Sequence, residues 1–122
     1  MTQTAVFDTY TWVELFEGRI SEGSVFNEKE IVTSVISLYE MYSKYLQYDE
    51  QKTKDAVGLV QSKARIVNVD KYIALRAAQL RKKYKFSMAD SIILSTAIQE
   101  KAELVTGDPH FKNVTEVKIR FL

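Results

Sequence analysis

Four acidic residues, Asp8, Glu40, Asp90 and Asp108, have the type and spacing expected of a cation site. Asp8 and Asp108 each follow a short apolar, β-branched stretch. Asp90 lies in the first turn of a predicted helix, and Glu40 lies about two turns into another. Two carboxylates about 4 Å apart repel each other by roughly 4 kcal/mol at an effective dielectric near 20, so a group of them must bind protons or a cation. Oxygen ligands without cysteine favour Mg²⁺ or Mn²⁺ over zinc.

Each acid also fits a simpler interpretation. Asp8 and Asp108, the latter followed by proline, suit the N-cap position of a helix. Ser87 and Asp90 have the spacing of a capping box. Glu40 taken alone fits an exposed helix position, because glutamate is rarely buried. Only the convergence of all four side chains at one place would require a cation.

The elements that must position these acids alternate along the chain. Five apolar stretches predict strands, and helical spacing of apolar residues fills most of the intervals between them. This alternation predicts a mostly parallel sheet with helices on both faces and a functional crevice at the carboxyl ends of the strands. The predicted strands are 4–7, 31–33, 64–69, 103–106 and 117–121, and the helical patterns involve Trp12 and Phe16, then Val35, Leu38 and Tyr42, then Ile73, Ala77 and Leu80, then Ile93, Leu94 and Ala97.

Length and composition limit the class of protein. The 122 residues, 46% of them hydrophobic, suit one domain over 1–122 with its own core. The absence of cysteine excludes disulfides and thiolate metal sites, and no apolar run approaches the roughly 18 residues of a membrane span. The start of the sequence lacks a targeting pattern, so a cytoplasmic location is expected. A formal net charge of +1 means that polyanion binding must use a local patch.

A basic run, LRKKYK at 80–85, supplies such a patch through Arg81, Lys82, Lys83 and Lys85. The four residues between Lys85 and Asp90 span at most about 18 Å, so the run is expected near the acids and is our candidate RNA contact. The alternative is that these cations only complement the dipole at the carboxyl end of a helix.

Four segments in order, VFDT, ISLYE, MADSIILSTA and LVTGDPHF, make the chain resemble PIN domains, especially the toxin nucleases of VapBC toxin–antitoxin pairs. The resemblance implies a three-layer α/β/α fold with a central, mostly parallel five-stranded sheet. It also implies a metal pocket formed by Asp8, Glu40, Asp90 and Asp108, and metal-assisted hydrolysis of RNA with Mg²⁺ or Mn²⁺. Thr106 matches a hydroxyl residue of the family and would donate to one of the carboxylates, although it also suits a strand by type.

The same resemblance implies a homodimer and a small antitoxin whose segment blocks the acidic pocket. Two alternatives stay open from the sequence. One is a PIN nuclease of RNA processing or decay that has no antitoxin. The other is a phosphate-receiving signalling domain with Asp70 as its acceptor, which fits less well because Asp8 stands without a second acid. His110 is expected to be a loop residue without a catalytic role.

Overall fold

The computed structural model describes residues 3–26 and 30–122, and strands and helices alternate along them. The strands are β1 (Thr4–Phe7), β2 (Glu30–Ser34), β3 (Arg65–Val67), β4 (Glu103–Thr106) and β5 (Ile119–Phe121). The helices are α1 (Thr9–Phe16), α2 (Glu22–Val25), α3 (Val35–Leu46), α4 (Glu50–Lys63), α5 (Lys71–Tyr84) and α6 (Met88–Gln99), with a 3₁₀ helix at Pro109–Phe111. Within the described ranges no helix is long and apolar enough to cross a membrane.

The five strands form one sheet in the order β3-β2-β1-β4-β5, and every neighbouring pair is parallel. The predicted five-stranded α/β architecture is therefore confirmed. Strand β1 lies at the centre, and its register places Val6 opposite Val32 on one side and Leu104 on the other. The carboxyl ends of β1 and β4, which lead to Asp8 and Asp108, consequently lie side by side.

The two faces of the sheet are buried by different helices, as the period-2 alternation of strand side chains requires. On one face, Phe7 and Val105 pack with residues of α1, α3 and α4, including Trp12 and Met41. On the other, Val6 and its neighbours in β2 and β4 pack with residues of α5 and α6. The outcome is the three-layer arrangement that the sequence predicts.

Helix α4 is the main element that the sequence analysis missed. Its buried residues are Thr53, Ala56 and Val60, so its inward face is small and partly polar. Such a face gives little of the apolar periodicity on which helix prediction depends. The predicted strands at 64–69 and 117–121 are also shorter in the structure than in the sequence analysis, at Arg65–Val67 and Ile119–Phe121.

Candidate active site

Asp8 lies at the carboxyl end of the central strand and is buried, with 3% of its surface exposed. Its Oδ1 accepts hydrogen bonds from the Thr11 backbone N–H at 2.9 Å and the Thr11 hydroxyl at 2.8 Å, so Asp8 does cap α1. Burial raises the pKa of Asp8 from 3.8 to about 6; hydrogen bonds from Thr106 and Thr11 lower this pKa, and the charge of Asp90 raises it further. Asp8 is therefore a helix cap, but burial makes its ionised form less stable than it is in water.

The backbone before Asp8 is fixed by buried polar contacts. The Trp12 indole donates to the Thr33 hydroxyl at 3.1 Å, and that hydroxyl donates to the Phe7 carbonyl at 2.8 Å. The Asp8 backbone N–H donates to the Val105 carbonyl at 3.3 Å. These contacts tie the end of β1 to both neighbouring strands, so the position of Asp8 is set by the sheet.

Thr106 connects the first acid to the last. Its fully buried hydroxyl donates to Asp8 Oδ2 and accepts the backbone N–H of Asp108 at 2.9 Å. Asp108 in turn caps the 3₁₀ helix, since its Oδ1 accepts the backbone N–H of His110 at 2.9 Å. One hydroxyl thus orients the Asp8 carboxylate and the turn that carries Asp108.

Asp90, Asp108 and His110 form the tightest group of metal-ligating side chains that the described residues contain. Each offers one ligand atom, and these atoms all lie within 4.8 Å of one another. His110 Nδ1 lies 3.2 Å from Asp108 Oδ1. The sequence analysis gave His110 no role, although its position two residues after Asp108 was a usable signal, because an Asp-capped turn brings the following side chain back toward the cap.

The pKa of Asp90 is raised, chiefly by burial and then by the charges of Asp108 and Glu40, whereas Ser87 and His110 lower it. Asp90 sits in the first turn of α6, where the Ser87 hydroxyl accepts its backbone N–H at 3.1 Å. The helix cap is therefore Ser87, which leaves the Asp90 carboxylate for another purpose.

Glu40 reaches the site through Thr9, a contact that the sequence analysis did not foresee. The Thr9 hydroxyl donates to Glu40 Oε1 at 2.6 Å and lies 3.1 Å from the Ser37 hydroxyl. Thr9 begins α1 directly after Asp8, so this bond holds the face of α3 that carries Glu40 next to the acids. All four predicted acids are thus electrostatically coupled around Asp90, with Asp8 and Glu40 outside the closest group.

The donor set fits a hard divalent cation. It consists of carboxylate oxygens with a single imidazole, and no cysteine. A carboxylate offers about four lone-pair sites. The Thr11 backbone N–H and the Thr106 hydroxyl use two sites of Asp8, and the Thr11 hydroxyl shares its one proton between Asp8 and the Val105 carbonyl, so at least one site remains for an ion. Throughout residues 3–26 and 30–122, no lysine or arginine pairs with any of the four acids.

The basic run divides into two parts. Lys83 donates to Glu116 at 2.8 Å, and Glu116 lines a groove with Thr4 and Glu103, the first residues of two strands. Lys83 is therefore directed toward the amino-end side of the sheet. All four cations of the run are exposed, and Lys85 ends α5 in a left-handed conformation.

Asp70 caps a helix, and the strand order excludes the phosphate-receiving alternative. Its side chain accepts the Ile73 backbone N–H at 2.8 Å and caps α5 on the surface. The strand order β3-β2-β1-β4-β5 also differs from the flavodoxin-like order 2-1-3-4-5 in which such signalling domains are built. The receiver interpretation is wrong.

Comparison with known proteins agrees with this geometry. The PIN domain model matches residues 5–117. Among solved structures, a chain of a toxin–antitoxin complex from Klebsiella pneumoniae is 32% identical, with a TM-score of 0.76 and coverage of 93% of this chain and 94% of that one.

Two more distant structures share the fold. VapBC2 from Rickettsia felis, bound to a promoter DNA fragment, has a TM-score of 0.84 at 17% identity, covering 98% of this chain and 99% of that one. VapC20 from Mycobacterium tuberculosis, a toxin that cleaves the sarcin–ricin loop, has a TM-score of 0.74 at 15% identity, covering 93% and 98%. No curated protein matches the sequence significantly. The match over 5–117 nevertheless shows that the chain belongs to the PIN domain family.

Proposed function

We propose that the protein is a metal-dependent endoribonuclease that hydrolyses RNA phosphodiester bonds at the site around Asp90. One observation carries this proposal. Carboxylates from four separate segments are coupled to one another, and within the described part of the chain no lysine or arginine neutralises them. Such an arrangement is tolerable at neutral pH when a divalent cation is bound.

The residues have distinct roles in this proposal. Asp90 and Asp108, with His110 beside them, hold Mg²⁺ or Mn²⁺, and Asp8 contributes its remaining lone pair. When bound, the ion supplies Lewis acidity and offsets the negative charge that develops at the phosphate. Glu40, oriented by Thr9, is assigned the role of accepting a proton from the attacking water or of binding a second ion. Thr106 positions Asp8 and Asp108.

The same protein is proposed to be the toxin of a toxin–antitoxin pair. Support comes from the 32% identical chain of a toxin–antitoxin complex, which covers nearly the whole of this chain, and from the fold shared with VapBC proteins. The sarcin–ricin loop specificity of VapC20 supports RNA as the substrate class. We further propose that the chain forms a homodimer in the cytoplasm and that a small antitoxin covers the acidic pocket.

The decisive experiment is cleavage of a labelled single-stranded RNA by wild type and Asp8→Asn, with Mg²⁺ and with EDTA. Wild type is expected to cleave only with the metal, and the variant is expected to be inactive with it. Asparagine remains a good helix cap, so loss of activity would report on charge and not on α1. Cleavage that persists in EDTA or in Asp8→Asn would overturn the proposal.

Co-purification tests the toxin assignment separately. The protein recovered at native level from its own source is expected to carry a small partner in stoichiometric amount, and that complex should cleave RNA more slowly than the freed chain. An active chain recovered without a partner would favour the alternative of a PIN nuclease that has no antitoxin.

A further inference from the structure

The ring of Tyr10 lies between the two turns that carry Asp8 and Asp108. Tyr10 is the second residue of α1, two positions after Asp8, and its ring packs against Gly107, which directly precedes Asp108. A Cβ on Gly107 would lie 2.3 Å from Tyr10 Cε1 and 2.8 Å from Cδ1. One face of the ring, above its Cε1 atom, therefore covers the space that a side chain at position 107 would need, and the opposite face points away from Gly107.

This contact explains the glycine in the segment TGD. Gly107 does not have the positive φ that commonly requires glycine; among the described glycines that conformation belongs to Gly18. Its backbone conformation is accessible to alanine, but the three nearest atoms that a methyl group would meet all belong to the Tyr10 ring. The pair Tyr10 and Gly107 thus fixes an aromatic ring beside the acids.

Core packing does not account for this ring. The next two residues, Thr11 and Trp12, are fully buried, whereas 46% of the Tyr10 surface is exposed. A large aromatic side chain with one face against Gly107 and nearly half its surface exposed has the properties of a stacking surface on its other face.

The chemistry of the site creates a need for such a surface. Four carboxylates repel a polyanion, and a bound cation offsets that repulsion only at the phosphate. Lys83, one cation of the basic run, is already paired with Glu116. An uncharged ring beside the acids can bind a nucleobase without changing the net charge of the site. Stacking of this kind tolerates any base.

We propose that Tyr10 is the platform on which the nucleobase next to the scissile phosphate stacks. The inference rests on the proposed ribonuclease function and deepens it, because it assigns a substrate-positioning residue outside the acidic set. Tyr10 binds the base through its ring face, while its hydroxyl is dispensable.

The test uses a single-stranded RNA oligonucleotide with a mapped cleavage site and two copies that carry an abasic ribose on one or the other side of that bond. For wild type, one abasic copy is expected to raise KM roughly tenfold, within the range that base–aromatic stacking contributes. Tyr10→Leu should show a similarly raised KM on the intact RNA and no further increase on the abasic copy. Tyr10→Phe should behave as wild type, and so should Tyr48→Leu, which removes a tyrosine that is 73% exposed beyond the end of α3.

A second pair of variants tests the position of the ring. Gly107→Ala displaces the ring and should remove the increase in KM that the abasic RNA causes. The same change made in Tyr10→Leu should raise KM little further. A purely structural role for Tyr10 would leave the increase caused by the abasic RNA intact in Tyr10→Leu at an unchanged KM, and this result would overturn the platform while RNA cleavage persists. Loss of binding to a partner protein, with RNA kinetics unchanged, would overturn it equally. If wild type shows no metal-dependent cleavage, the ribonuclease proposal itself fails, so the two failures are distinguishable.

Discussion

Acidic residues at the amino ends of the strands have different partners from those at the carboxyl ends; these two sides of the sheet are called here the amino-end edge and the carboxyl-end edge. At the amino-end edge, Arg65 pairs with Glu30 at 2.9 Å and Glu100 at 2.6 Å, and Lys83 pairs with Glu116 at 2.8 Å. At the carboxyl-end edge, the acids accept hydrogen bonds from the hydroxyls of threonines and from backbone N–H groups. Among the described residues, the acids at the amino ends of the strands therefore pair with lysine or arginine, whereas the four acids at the carboxyl ends pair with neither.

The difference appears in the pKa values. Partial burial raises the pKa of Glu116. The hydrogen bonds from Lys83 and Tyr84 have the larger combined effect and lower that pKa to about 2. At the opposite edge burial wins, so the pKa of Asp8 rises to about 6 and that of Asp90 rises as well. Paired charges at the first edge favour the folded state modestly, whereas the second edge favours the folded state only when a cation or protons are bound.

The largest effect is expected from Asp90→Asn. Loss of a proposed metal ligand should lower Mg²⁺-dependent RNA cleavage by more than the roughly 10- to 100-fold that removal of a supporting contact costs. The free energy of unfolding of the metal-free protein should be unchanged or higher, because repulsion from Asp108 and Glu40 is relieved. The matched control is Glu116→Gln at the other edge, which should retain activity. If Asp90→Asn cleaved RNA at the wild-type rate, the proposed difference between the two edges would be wrong.

Asp8→Asn should change how stability depends on pH. Because its pKa is raised on folding, the native state binds the proton more tightly than the unfolded chain, so this contribution is complete below about pH 4 and is lost as the pH rises past about 6. The shift from 3.8 to about 6 corresponds to about 3 kcal/mol. Urea unfolding in EDTA between pH 4 and 7 should show this fall in wild type and a smaller fall in Asp8→Asn, in which Asp90 still has a raised pKa.

Two additions make that measurement specific. Mg²⁺ at pH 7 should restore stability to wild type and not to the variant. Asp49→Asn, which alters an exposed helix cap that accepts the Gln51 N–H at 2.8 Å, should keep the wild-type fall. Parallel pH profiles for wild type and Asp8→Asn would show that Asp8 is an ordinary cap.

Thr106→Val should have an intermediate effect. Without its hydroxyl, Asp8 loses a donor and the Asp108 N–H loses its acceptor, so Mg²⁺ affinity and cleavage should fall by roughly 10- to 100-fold. Thr96→Val is the control, because Thr96 is equally buried and its hydroxyl donates to the Ile92 carbonyl of its own helix. Equal losses of activity in the two variants would indicate a general packing defect.

The smallest effect is expected from single lysine substitutions in the basic run, and it should differ between Lys82 and Lys83. Lys82→Gln should lower the salt dependence of RNA binding by about 0.7 in the log–log slope, the value for one phosphate contact on a single strand. Lys83→Gln should leave that slope unchanged, since Glu116 already holds its ammonium. An unchanged slope in both variants would leave the run with its helix-dipole role alone.

The strand positions could be read from the sequence because each strand is a short apolar stretch that ends at a distinct side chain. Strands β1 and β4 match their predicted bounds, and this alone places Asp8 and Asp108 on one edge. Asp90 was predictable as well, since its position follows from the apolar spacing of its own helix. Family membership, inferred from four short segments, is confirmed over residues 5–117.

Contacts between elements could not be predicted in this way. The bond from Thr9 to Glu40 depends on how α1 packs on α3, and the pairing of Lys83 with Glu116 joins residues 33 positions apart. Helix–helix geometry depends on the fit of side chains at the contact, which no single segment encodes. Helix α4 was missed for a related reason, because its buried face contains threonine and alanine.

The hydrogen bond between Thr106 and Asp8 joins residues 98 positions apart, at the centre of the sheet. A polypeptide growing from its amino terminus during translation already contains Asp8, Glu40 and Asp90 before β4 exists to dock beside β1. Loop closure over that separation comes late, so the nascent chain has three of its acids but no assembled pocket. The proposed nuclease site is therefore assembled only after β4 has been synthesised and has docked beside β1.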